Sequence, residues 1–296
     1  MHDPHRIPES DERRRFGPPW PEEAGRRGRR GFEAAADLRA LGRLFPLAAW
    51  FTAGYAVYAA RRLITPAGSR ARLARAYRFK AARDLLRLMG IRLVVEGPSR
   101  AGRALVVANH LSWLDAVVLL AVSAPAPVAL ERTLPGFGAF VRSIGGIIIA
   151  RSSISCLPAV VDGVERTLRS GEDALFFPEG TTGFGGALKP FHPALFEAAA
   201  RARAPLACCL LAYRVPPPQP SPERSVHWVD WTPFLVHFWR ILGLRGLEAH
   251  VHRAEPLPAP ETRRAANATA RSAIEALAGR FPPAPAAARA GTGDAE

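Results

Sequence analysis

Ala108-Asn109-His110-Leu111-Ser112-Trp113-Leu114-Asp115 joins an apolar run at 104–107 to a hydrophobic segment at 116–122, and its reading decides the fold. A neutral imidazole, with a pKa of about 6.5, accepts a proton at neutral pH, and a neighbouring carboxylate fixes its tautomer and stabilises its charged form. On one continuous helix, residues five apart diverge by about 140° around the axis, so His110 and Asp115 would face different sides. With Ser112 as N-cap and Asp115 three positions on, the stretch is instead a Ser-x-x-Asp variant of the capping box. His110 then occupies the strand-to-helix loop, free to fold back over the first helical turn. That puts a base at the carboxyl end of a strand, where open α/β sheets take their ligands.

Outward from this stretch, composition sets the bounds. The chain has 296 residues, of which 48% are hydrophobic, enough for one substantial core. Its formal net charge is +14, carried almost wholly by arginine, with Lys80 and Lys189 the only lysines. Such an excess suits nucleic acid, acidic protein or anionic membrane. No stacking-aromatic or recognition-helix pattern supports nucleic acid. Cys156, Cys208 and Cys209 form neither a disulfide framework nor a zinc pattern, which fits a reducing compartment.

Residues 1–31, rich in Arg, Glu, Pro and Gly, read as a disordered basic arm. A helical, membrane-associating region is expected over 32–90. Within it, 44–60 is an uncharged run between Arg43 and Arg61-Arg62, at the lower edge of the roughly 17–25 residues of a spanning helix. It reads as a transmembrane or membrane-embedded helix, with a buried core helix as the alternative. Residues 67–89 form a basic amphipathic helix with an apolar stripe of Leu73, Tyr77, Ala81, Leu85 and Leu88. Arg70, Arg72, Arg75, Arg78, Lys80, Arg83 and Arg87 fill the remaining faces. Such a helix lies on anionic lipid or packs on the domain core.

From residue 91 the pattern alternates. Strands are expected at 91–95, 104–107, 146–150, 174–177 and 206–212, and helices at 112–122, 138–144, 157–169 and 193–203. This is the signature of an α/β domain with a largely parallel sheet, placed over 91–280. After a Pro-rich loop at 215–222 come a strand-like 226–231, a helical 233–242, a strand at 247–252 and a helix at 263–277. The stretch 281–296 reads as a disordered tail.

Two further loops carry chemistry-bearing residues. The strand Gly146-Ile147-Ile148-Ile149-Ala150 delivers Arg151 at its carboxyl end. Phe176-Phe177-Pro178 breaks into the turn Glu179-Gly180-Thr181-Thr182-Gly183. Backbone N–H groups in such a turn cradle an anion, and Arg supplies a charge-assisted fork.

In this order and spacing, Asn109-His110-x-Ser112-x-x-Asp115, Gly-x-Ile-x-Ile-x-Arg151 and Phe-Pro-Glu179-Gly180-Thr181 resemble the motifs of the glycerolipid (lysophosphatidic acid, PlsC-like) acyltransferase family. Glu-Gly-Thr-Thr-Gly with Lys189-Pro190-Phe191, and the region 228–256, look like the branch containing lyso-ornithine lipid acyltransferases. The resemblance implies a mixed, largely parallel sheet flanked by helices and preceded by membrane-associating helices. It implies that His110 removes the proton of a lysolipid hydroxyl and that Asp115 orients it, supported by Asn109 and Ser112. Arg151, Glu179, Gly180, Thr181 and Thr182 would hold the acceptor. The donor would be an acyl thioester on CoA or acyl carrier protein, attacked directly, with no metal and no cofactor. The expected setting is an anionic membrane, the cytoplasmic face of the bacterial inner membrane. The acceptor would be 1-acylglycerol 3-phosphate or lyso-ornithine lipid; a non-catalytic lipid-binding protein of the same fold is the alternative from another class.

Three positions depart from the family pattern. Thr182 and Gly183 stand where many members carry Arg or Ser-Arg, which favours a zwitterionic or differently charged acceptor over a phosphomonoester. Ala150 replaces an acidic residue, and the apolar fourth motif is matched only loosely by 205–210.

Overall fold

A computed structural model describes residues 26–99, 102–130, 136–149, 157–229 and 232–281. Helix α1 (Arg26–Ile64) and a 3-10 turn lead into α2 (Arg70–Leu88). The chain continues as β1 (Arg92–Glu96), β2 (Leu105–Ala108), α3 (Leu114–Ser123), β3 (Ala126–Leu130), α4 (Phe137–Ser143) and β4 (Ile147–Ile149). Then come α5 (Leu157–Arg169), β5 (Ala174–Phe176), α6 (Phe196–Ala202), β6 (Leu206–Arg214), the short α7 (Pro222–Ser225), α8 (Phe234–Gly243), β7 (Glu248–Arg253) and α9 (Arg263–Arg280).

The seven strands form one sheet in the order β1-β7-β6-β2-β5-β3-β4. Every pairing is parallel except β6 with β7, so the sheet is mixed and largely parallel. The alternation of side chains in β2 divides the core. Val106 and Ala108 face the cluster under α2, α3 and α8, whereas Leu105 and Val107 face the one under α5, α6 and α9. Because β2, β5 and β4 run in one direction, the chain leaves all three at the same edge of the sheet. That edge carries the site.

The N-terminal helices differ from expectation in two ways. Among the described residues, no helix is long and apolar enough to cross a membrane. The uncharged run 44–60 is short, contains Pro46 and Gly54, and lies inside a much longer helix that carries arginines on both sides. One face of this helix packs on the domain. Leu47 and Tyr58 are buried, the Tyr58 hydroxyl donates to Ser143 O at 2.5 Å, and Arg43 Nη1 donates to Leu242 O at 2.8 Å and Leu244 O at 2.6 Å. The other face stays bare, with Leu38, Leu41, Phe45, Phe51 and Val57 exposed.

On α2 the buried row is Ala74, Arg78, Ala82 and Leu86, turned one residue from the expected stripe. Arg78 sits at its centre instead of in solvent. Its guanidinium donates to Ala124 O and Ile144 O and pairs with Glu172 at 3.0 Å. A buried charge is tolerated only when so fully partnered. Helix α2 ends in a Schellman motif: Ile91 N–H reaches Leu86 O and Gly90 N–H reaches Arg87 O, with Gly90 at φ +69°.

Two further expectations change. Strand β3 was not foreseen, because its Ala124-Pro125-Ala126-Pro127 start reads as a loop. Pro127 is tolerated where the strand passes from β5 to β4 as its partner. Residues 226–229 form no strand. The segment instead follows α7 and lies across the His110 loop, with Trp228 N–H donating to Leu111 O at 2.8 Å.

Candidate active site

The site begins where β2 stops. Asn109 continues the β2–β6 ladder with its side chain: Nδ2 donates to Leu211 O at 3.0 Å, and Oδ1 accepts from Leu211 N–H at 2.7 Å. The backbone is thereby fixed one residue before His110. His110 Nδ1 lies 2.8 Å from Asp115 Oδ2, as the folded-back loop requires. The same oxygen accepts the N–H groups of Leu111 at 2.5 Å and Ser112 at 2.8 Å. Asp115 thus performs one half of the expected capping box. Ser112 does not perform the other: helix α3 starts from Trp113, and Ser112 Oγ accepts only a long bond from Leu114 N–H at 3.4 Å.

Asp115 is wholly buried, and its other oxygen accepts from the Tyr213 hydroxyl at 2.6 Å. Burial, reinforced by the adjacent carboxylate, pushes the Tyr213 phenol well above its usual range, so it acts as a donor. The carboxylate therefore has four donors and one preferred orientation. With Nδ1 committed to it, Nε2 is the ring nitrogen available for proton exchange. The imidazole is 19% exposed and stacks on Phe177, ring centroids 4.0 Å apart and nearly parallel.

The β5 loop holds His110 from the other side. Glu179 Oε1 accepts from His110 N–H at 2.9 Å, and Oε2 accepts from Lys189 N–H at 3.1 Å. Gly183 N–H donates to His110 O at 2.7 Å, so both backbone groups of His110 are clamped. Burial raises the Glu179 carboxyl above its usual value, against the opposing pull of those two N–H bonds. Both oxygens of Glu179 thus face backbone, which makes it a brace for the His110 loop. Replacing it with Gln sets an N–H donor against one of the two N–H groups. Glu179→Gln is expected to lose about 1–3 kcal/mol of stability, checked by denaturant unfolding. A midpoint equal to wild type would show that the clamp is dispensable.

Gly180 adopts φ +68°, and a Cβ there would sit 3.1 Å from the His192 ring. Thr181 is exposed, whereas the Thr182 hydroxyl donates to Trp228 O. Arg151 lies outside the described residues, as do Ala150 and Cys156; β4 ends at Ile149, on the same edge of the sheet. Cys208 and Cys209 are buried and unbridged, and burial pushes the Cys208 thiol up to about 12, which disqualifies it as a nucleophile at neutral pH.

Three side chains at the site had no expected role. Tyr213 is two residues beyond Leu211, on the same face of β6, and that period-two relation to Asn109's partner was the available signal. Phe177 stands at a strand end in the Phe-Pro-Glu179 motif, where only the turn residues after it were expected to take part. Trp113 donates from Nε1 to His237 Nδ1 at 3.0 Å and meets Phe234 and Phe238, forming an aromatic wall at the start of α3. Nothing local marked that wall, because it joins segments far apart in the chain.

A buried carboxylate paired with a partly exposed histidine at the carboxyl edge of a mixed, largely parallel sheet is an arrangement able to supply a general base. Residues 90–212 match the family model described as Acyltransferase. The chain is 32% identical over 127 residues to the 1-acyl-sn-glycerol-3-phosphate acyltransferase of Neisseria gonorrhoeae, covering 42% of this chain and 50% of that protein. It is 31% identical over 168 residues to the lyso-ornithine lipid O-acyltransferase of Pseudomonas aeruginosa, covering 55% of this chain and 63% of that one. The chain thus spans about half the length of the first curated relatives it matches. The crystal structure of the 1-acyl-sn-glycerophosphate acyltransferase PlsC from Thermotoga maritima shares the fold, with a TM-score of 0.63 at 17% identity over 84% of this chain and 97% of that one.

Proposed function

We propose that the protein is a lysolipid O-acyltransferase. The carrying observation is the His110–Asp115 pair, buried on the carboxylate side and open on the imidazole side. His110 Nε2 takes the proton of the acceptor hydroxyl as its oxygen bonds to the thioester carbonyl carbon. Asp115 stabilises the resulting imidazolium. The tetrahedral adduct then collapses, the C–S bond breaks, and the thiolate leaving group recovers the proton from Nε2. A thioester is already activated, so positioning and a base suffice. An intact, fully partnered pair speaks against a non-catalytic lipid-binding protein.

By analogy with the relatives, the acceptor is 1-acylglycerol 3-phosphate or, as the second reading, lyso-ornithine lipid, and the donor is acyl-CoA or acyl carrier protein thioester. Thr182 and Gly183 favour the second reading. The bare face of α1 and the exposed Leu235 and Val236 of α8 support attachment to the cytoplasmic face of an anionic bacterial membrane. Arg151 and the Glu179–Thr182 turn are proposed to border the acceptor.

The test sets both donors against lysophosphatidic acid, lyso-ornithine lipid and lysophosphatidylcholine, using the full chain. A diacyl product from at least one of the first two is expected; no product from any pairing sinks the reading. Cosedimentation with anionic vesicles checks the membrane assignment, which fails if the chain stays in the supernatant.

A further inference from the structure

Building on the lysolipid reading, we propose that Lys189, and not Thr182, supplies the charge that selects an acceptor bearing an anionic group near its reacting hydroxyl. The turn after Glu179-Gly180-Thr181 lacks the arginine of many family members, and its Thr182 hydroxyl is committed to Trp228 O. That bond fastens the turn to the segment after α7 and presents no charge.

A cation nevertheless reaches this turn from farther along the chain. Lys189 Nζ donates to Thr182 O at 2.8 Å. The lysine backbone is pinned on both sides: its N–H donates to Glu179 Oε2 at 3.1 Å, and its C=O accepts from Arg271 Nη1 on α9 at 2.8 Å. The side chain runs along Gly183, where a Cβ would stand 3.3 Å from Lys189 Cε and 3.8 Å from His110 O. The ammonium is therefore held against the loop that carries the base, braced by the same carboxylate that fixes His110.

An ammonium has three donors. One is committed to Thr182 O, leaving two for a ligand oxygen. Unlike guanidinium, it acts as a compact point charge and does not demand the paired oxygens of a bidentate contact. It therefore accepts either a phosphomonoester or an amino-acid carboxylate. Gly183 is part of this device, because a side chain there would press on the lysine stem.

The test is steady-state acyl transfer by the full chain and by Lys189→Met, Lys189→Arg and Gly183→Ala. The acceptors are lysophosphatidic acid, lyso-ornithine lipid and uncharged monoacylglycerol. In Lys189→Met, the ratio of kcat/KM for the preferred anionic acceptor to that for monoacylglycerol is expected to fall about ten- to a hundredfold. The loss should come through acceptor KM, with thioester KM unchanged. Lys189→Arg should restore most of the ratio, and Gly183→Ala should lower it while the charge is intact. Which anionic acceptor loses most separates phosphate from carboxylate recognition. An unchanged ratio in Lys189→Met, or an equal loss with all three acceptors, would overturn the assignment and leave Lys189 as a brace for the turn. Wild-type protein that transfers to no acceptor would overturn the acyl-transfer reading, and this assignment with it.

Discussion

Replacing His110 with Ala should lower acyl transfer about 10²–10⁴-fold while leaving the unfolding midpoint near that of wild type. The two effects separate because the ring and the backbone of this residue have different partners. The ring meets Asp115 and Phe177 and is partly exposed. The backbone N–H and C=O are held by Glu179 and Gly183, and alanine keeps both bonds. Asp115 also retains Leu111 N–H, Ser112 N–H and the Tyr213 hydroxyl. Rates measured at saturating lysolipid and thioester, with a thermal melt of the same preparation, check the prediction. Turnover near wild type would remove His110 from the mechanism.

Asp115→Asn should also fold and be nearly as impaired, by about a hundredfold or more. An amide with its oxygen in the Oδ2 position still accepts from Leu111, Ser112 and His110. Its NH₂ then faces Tyr213, whose hydroxyl can turn to accept. The geometry survives, but the negative charge that stabilises the imidazolium is lost. The distinguishing outcome is a fall in kcat with little change in either KM. A rise in acceptor KM alone would make Asp115 a binding residue. Asp115→Ala is a poorer probe, because it strands four buried donors and should damage the fold itself.

Much of this was legible from residue order. The alternation of apolar runs and helical patterns after residue 90 yielded the α/β class. The motif at 108–115 showed the histidine, its carboxylate partner and the fold-back that joins them, because all three are local. What escaped depended on segments distant in sequence. Arg78 looked like one more solvent-facing arginine on a basic helix; only the carbonyls of Ala124 and Ile144 and the Glu172 carboxylate explain its burial. The segment 226–231 has a strand-like composition, yet residues 226–229 lie as a strap over the His110 loop, with Trp228 N–H donating to Leu111 O.

The sequence by itself determined which chemistry is possible: a histidine and an aspartate at loop spacing, between a strand and a helix whose propensities are local. The tertiary structure decided how that chemistry is held and aimed. Tyr213 became a donor to Asp115 because β6 pairs with β2. Glu179 braces the backbone of His110 because β5 runs beside β2 and brings both loops to one edge. The Thr182 hydroxyl meets Trp228 O, and the Lys189 ammonium meets Thr182 O, for the same reason. Which hydrogen-bond partner a side chain finds depends on which strands lie side by side, and strand order is a property of the whole fold.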